Sequence, residues 1–244
     1  MSDKKPPTLF DTCLKITSIF EGSDYGTVTE NFDGMGISCG ILQFNLGTGT
    51  LQAYILNHIN EMYFKFPKSI MPIVESKKEM ALIWHKDNCC DENGHLKPEW
   101  KKAWVNFMLR PEVINLQKQA CNKYFQRARE ICGILGFSHE HKRAMAWAYD
   151  LAVQSWSLGI DRPRINHEQA NNILQLYGPE NYNLWSQVEL TDDQVVLVIA
   201  SHLRALKCKP EWRKAFFVRK CTLAVGLGIV NGEKHDFRKT FTGY

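Results

Sequence analysis

Two carboxylic acids near the N-terminus, Glu21 and Asp33, are spaced so that they can act together. Cleaving a glycosidic bond needs little beyond two carboxyl groups. One, of raised pKa, protonates the leaving oxygen; the other activates water or attacks directly. Glu21 directly follows Ile19 and Phe20 at the end of an apolar run, so it has apolar neighbours on one side, as the first role requires. Asp33 stands in the turn-forming cluster Phe32-Asp33-Gly34-Met35-Gly36, a solvated setting that suits an ionised base. Ser38 offers a hydroxyl to hold the attacking water. Gln43, Asn45 and Thr48 of the Gly47-Thr48-Gly49 loop can line sugar subsites, and Tyr25 and Phe44 can stack on a pyranose ring. Taken singly, each acid also fits a plain structural role: a Glu at a helix end is often just solvated, and an Asp before Gly is an ordinary turn residue.

The elements that must position these residues follow from periodicity. Leu9, Cys13, Ile16, Ile19 and Phe20 recur at helical spacing, and Gly22 is a suitable stop. Residues 25–29 and 37–44 are β-branched and aromatic on either side of the glycine-rich turn. They predict a hairpin or small sheet, the one convincing β region of the chain. Beyond Gly49 the pattern is helical, with helices expected over about 50–63, 70–83, 98–108, 111–134, 139–157, 167–177, 191–206 and 210–225. Residues 144–153 are apolar nearly all round, which marks a buried central helix. Asp150 in that helix must be paired or neutral. Trp147, Trp156 and Trp185 read as core rather than as sugar platforms. The similar stretches Lys97–Trp104 and Lys209–Phe216 read as two helix starts with Pro at the first position.

The order of these residues resembles a known family. Glu21, then Asp33-Gly34-Met35-Gly36-Ile37-Ser38-Cys39-Gly40-Ile41-Leu42-Gln43-Phe44, then Gly47-Thr48-Gly49, is similar to the catalytic segment of the bacterial chitosanases, within the lysozyme-like superfamily. There the pattern is Glu, then Asp-Gly-x-Gly-Tyr-Thr-x-Gly-Ile-x-x-Phe. The resemblance implies Glu21 as general acid, Asp33 as general base acting with inversion, and Ser38, in place of Thr, as the residue that places the water. Ile37 stands where the family has an aromatic, and Met35 where it has a basic residue. Trp100, Trp104, Pro111, Gln117 and Tyr124-Phe125 resemble the family's second helical region. Tyr149–Gln154 resembles its central helix, which implies that Asp150 pairs with an arginine behind the site, Arg219. The expected fold is mainly α with a small β part: a lysozyme-like, two-lobed architecture. It comprises a tail over 1–7 and one catalytic domain over 8–244, with a β lobe over about 22–50 and a helical lobe over about 51–235.

Composition narrows the partners. At 244 residues, 44% hydrophobic and 23% charged, the chain can bury a core and is not of a disordered class. The net charge is +4 with Lys and Arg spread along the chain, which argues against a nucleic-acid stripe and favours an anionic over a cationic partner. Chitosan is a polycation, whereas peptidoglycan carries lactyl and peptide carboxylates, so a muramidase is expected ahead of a chitosanase. A lytic transglycosylase, which needs Glu21 alone, and a non-catalytic glycan-binding module are the other readings. Val225–Gly232 also resembles the tail of muramidases found in contact-dependent bacterial effectors and phage lysins. That resemblance implies delivery to the cell wall by a secretion machine or at lysis, with a possible cognate immunity protein or secretion-machine carrier. Neither an apolar leader after Met1 nor an 18-residue apolar run is present, so synthesis in the cytoplasm and no membrane span are expected. No cofactor is expected. The eight cysteines read as mostly reduced thiols. His85, Cys89, Cys90 and His95 have poor zinc spacing, and His139 and His141 lie on different faces of a solvated helix start, so no metal is expected.

Overall fold

The computed structural model describes residues 7–21, 24–30, 34–60, 64–177 and 179–242. They fold as a mainly helical protein with two small antiparallel sheets, and the expected fold class is the one observed. The chain divides into two compact units: Glu21–Lys123, and Met1–Phe20 with Tyr124–Tyr244.

The first unit holds β1 (Val28–Thr29), β2 (Ser38–Cys39) and β3 (Phe44–Asn45), in the order β1-β2-β3. Register pairs Val28 with Cys39 and Cys39 with Phe44, and these three are buried. It also pairs Thr29 with Ser38 and Ser38 with Asn45. Neighbours along a strand face opposite ways, so these three polar residues form a row on the other face. Helices α2 (Thr50–Tyr54), α3 (Met71–Glu75), α4 (Lys78–Cys89) and α5 (Pro98–Met108) follow. Within this unit α2 and α5 pack on the sheet.

Two expected helices are broken. The one over 50–63 ends at Tyr54: Ile55 leaves the helical region, and a 3-10 turn over Leu56–His58 follows. The one over 70–83 is two helices, because Ser76 and Lys77 are extended and the Ser76 hydroxyl takes the Pro72 carbonyl for itself.

The second unit begins with α1 (Leu9–Glu21) up to Phe20. Thr8 and Asp11 cap its start reciprocally, with Thr8 Oγ1 donating to Asp11 Oδ2 at 2.6 Å and Asp11 N donating to Thr8 Oγ1 at 3.1 Å. The second part of α6 (Pro111–Ile134) belongs here too. The core helix is α7 (Lys142–Ser155), buried at every residue from Ala144 to Ala152. Next come α8 (His167–Leu176), α9 (Pro179–Trp185) and α10 (Asp192–Ala205), the last opened by a Thr191/Gln194 capping box. Then follow a 3-10 turn over Pro210–Trp212 and α11 (Arg213–Val225), which packs on α7 and α10.

A second hairpin, β4 (Leu227–Val230) and β5 (Glu233–Asp236), precedes α12 (Arg238–Thr242). It corrects the expectation of a single β region. Its turn is Asn231-Gly232, both at positive φ (53° and 82°), the dipeptide that favours a tight hairpin turn. Trp147 and Trp185 are fully buried, as expected, but Trp156 is 51% exposed. It is the C-cap of α7 at φ 57°, and the chain turns outward there. All eight cysteines are free thiols. Among the described residues no helix is long and apolar enough to cross a membrane.

Candidate active site

Glu21 is the last residue of α1 and is partly buried. The residue before it is fixed firmly. Phe20 is 7% exposed, with the rings of His235 and Phe237 edge-on to it at 5.2 and 5.7 Å and the Arg219 guanidinium 5.0 Å from its centroid. Arg219 is in turn clamped to Asp150. Its Nε donates to both carboxylate oxygens at 3.2 and 3.0 Å, and Nη2 donates to Oδ1 at 2.6 Å. The structure thus joins the two residues expected to pair, and adds one that was not expected: Lys220 Nζ also donates to Asp150 Oδ2. Burial pushes the Asp150 carboxyl up, but Arg219 and Lys220 beside it win and hold it below the usual carboxylate range. The sequence signal for Lys220 was its place beside Arg219 in the mostly apolar stretch Phe217–Val225.

The polar row of the sheet is built from within. Asn45 Nδ2 donates to Ser38 Oγ at 2.9 Å, and Asn45 Oδ1 accepts from Thr48 N at 2.9 Å. Thr29 Oγ1 donates to Gln43 Oε1 at 2.5 Å, while Gln43 Nε2 donates to the Gly40 carbonyl at 2.9 Å. Gln43 sits at φ 51°, a conformation that its own side-chain bonds help to hold. Ser38 Oγ therefore has a fixed donor on one side, and its own proton goes to no acceptor among the described residues. Such a hydroxyl can donate to a water held over the sheet.

Gln117, from α6, anchors this sheet. Its Oε1 accepts from Ile41 N at 3.0 Å, and its Nε2 donates to the carbonyls of Tyr25 and Met108 at 3.2 and 3.0 Å. Gly40 is obligatory opposite it: at φ 77°, a Cβ there would lie 2.2 Å from Gln117 Oε1. Its anchoring role was not read from the sequence. The signal was a glutamine on the buried stripe of Val113, Gln117 and Cys121.

The remaining expected site residues fall into two groups. Tyr25 is partly exposed, with Lys118 Nζ 5.8 Å from its ring centroid. Thr48 is exposed on the loop, its Oγ1 3.0 Å from that of Thr50. Phe44 does not serve as a sugar platform: it is 3% exposed and packs edge-on to Tyr54 at 6.0 Å, because β3 turns it to the core side with Val28 and Cys39. Asp33 lies outside the described residues. No group of metal-ligating side chains occurs among the described residues; His85 is buried at 1% exposure, its Nε2 3.7 Å from Cys90 Sγ. His141 caps α7 through Nδ1, which accepts from Ala144 N, and holds Asp193 Oδ2 at 2.9 Å through Nε2.

The fold is similar to that of a chitosanase. The solved structure is a Glu-to-Ala mutant of the enzyme from Bacillus subtilis MY002 in complex with 6 GlcN. It is 16% identical over 87% of this chain and 85% of that one, with a TM-score of 0.50. At that identity the likeness is one of fold. No family model and no curated protein matches the chain.

Proposed function

We propose that this chain is a glycoside hydrolase that cleaves an aminosugar polymer, with Glu21 as general acid, Asp33 as general base and Ser38 placing the attacking water. The observation that carries the reading is Glu21 itself. It stands at the end of a helix whose last turn is held by Phe20, Arg219 and Asp150, on a chain with a chitosanase-like fold. A proton donor must be fixed to within a fraction of an ångström to act on a leaving oxygen, and this anchoring serves that need. The polar row of Thr29, Ser38 and Asn45 supplies ordered hydroxyl and amide groups of the kind that bind sugar and water.

Peptidoglycan is the substrate this reading favours, because the net charge of +4 suits an anionic polymer better than a polycation. Acting there would make the protein a cell-wall-degrading effector or lysin, delivered by a secretion machine or at lysis. Chitosan is the second reading, favoured by the 6 GlcN of the structural neighbour.

Zymography on purified peptidoglycan and on chitosan, wild type beside Glu21→Gln, tests the proposal. A cleared zone on one polymer, lost in the variant, is expected. Equal clearing by both proteins removes Glu21 from the mechanism.

A further inference from the structure

A pocket of about 730 Å³ opens in the Glu21–Lys123 unit, beside the polar row. Thr29 belongs to both, since it pairs with Ser38 across the sheet and also lines the pocket. The pocket thus meets the surface assigned to the glycan at Thr29, while Val28 and Glu30 also line it.

Its chemistry is amphoteric. Two carboxylates, Glu30 and Glu92, and two ammonium groups, Lys86 and Lys101, line it together. Glu30 is already engaged: Lys101 Nζ donates to it at 3.1 Å, and His95 Nδ1 lies 3.4 Å away. The hydrogen bond from Lys101 keeps the Glu30 carboxyl below its ordinary range, so this side of the pocket stays ionised. Lys86 and Glu92 are different. Both are exposed, and neither makes an ion pair or side-chain hydrogen bond among the described residues. The wall that carries Glu92 is a preformed tight loop. Asp91 Oδ1 accepts from Asn93 N and His95 N, both at 2.9 Å; Gly94 turns at φ 84°; and Cys90 bridges to Leu96.

The occupant follows by elimination. A phosphate or a plain polyanion meets two carboxylates, and a polycation such as chitosan meets two ammonium groups. Among the described residues no Phe, Tyr or Trp lines the pocket, and its one ring, the His95 imidazole, is already engaged with Glu30, so it lacks the usual platform for a neutral sugar. A flexible chain carrying both signs can satisfy Lys86 and Glu92 at once. We propose that this pocket holds a short peptide branch of the glycan, bearing free carboxylate and free ammonium groups of the kind found in peptidoglycan stems. The proposal rests on the glycan reading above and deepens it by naming what hangs from the sugar.

Calorimetric titration of the full chain with a free tetrapeptide containing meso-diaminopimelate tests this directly, because it needs no turnover. Wild type should bind saturably. Lys86→Ala/Glu92→Gln, two exposed changes that leave the core alone, should bind at least about 10-fold more weakly, the scale of one charge-assisted hydrogen bond lost. The preference for peptide-bearing over peptide-stripped strands should fall with it. Absence of saturable binding by wild type, or equal binding by the double variant, overturns the pocket assignment. Such a result leaves the acid–base reading standing if Glu21→Gln still abolishes cleavage. Peptide binding alongside unchanged cleavage by Glu21→Gln does the reverse.

Discussion

The two compact units are held together internally in opposite ways. In the helical unit, Asp150, Arg219 and Lys220 form a charged cluster in the core, with Asp150 and Lys220 fully buried. In the sheet unit, Thr29, Ser38 and Asn45 are half-buried, with neutral side-chain hydrogen bonds tying Asn45 to Ser38 and Thr29 to Gln43. A buried charge cluster tolerates no loss of a member, whereas a solvated polar row can exchange a protein bond for a water. The first arrangement suits a fixed anchor behind Glu21. The second suits a surface that must trade partners with a substrate.

Substitutions sharpen or break that contrast. The largest effect on stability is expected from Asp150→Asn, which strands Arg219 and Lys220 without their carboxylate. Loss of one partner from a buried pair costs about 3–5 kcal/mol, a large share of a domain's stability, and chemical denaturation would measure it.

Next comes a pH effect. Burial holds His85 at a pKa of about 4, and its Nδ1 has no hydrogen-bond partner among the described residues. With the folded value below the unfolded one, near 6.5, its contribution is complete above pH 6.5 and is lost as pH falls toward 4. That loss is about 3 kcal/mol, and the slope should shrink in His85→Leu to what remains from other groups such as His202, whose pKa burial also lowers.

Gln117→Leu removes three hydrogen bonds under the sheet, from Ile41 N and to the carbonyls of Tyr25 and Met108, at about 2–3 kcal/mol by the same denaturation measurement. Ser38→Ala should be the mildest, below about 1 kcal/mol in stability, yet about 10-fold slower in turnover, a barrier change of roughly 1.4 kcal/mol. If Ser38→Ala destabilised as much as Asp150→Asn, the contrast between anchor and working surface would be wrong.

The legible parts of the sequence were those where one local signal dominates. Helices α5 and α6 begin at Pro98 and Pro111, each at the first helical position, where proline is favoured. The apolar run through Asp150 marked both the central helix and its need for a partner. What failed was decided by tertiary context. Lys97–Trp104 and Lys209–Phe216 both open helical segments as expected, but their like sequences do not tell that Trp100 is 2% exposed and Trp212 is 63% exposed. Phe44 sits beside the polar row in sequence, but its strand register sends it inward. Trp156 looked like core until the C-cap of α7 turned it out. The second hairpin carries a readable local signal in its Asn231-Gly232 dipeptide, although the sequence points to one β region.

The central claim is that Glu21 protonates a glycosidic oxygen while water completes the cleavage. Digestion of the cleaved polymer in heavy-oxygen water, followed by mass spectrometry of the fragments, tests it most directly. Wild type should give reducing ends that each carry one heavy oxygen, and Glu21→Gln should give none. Anhydro ends without heavy oxygen, or labelled ends produced equally by the variant, would contradict the account.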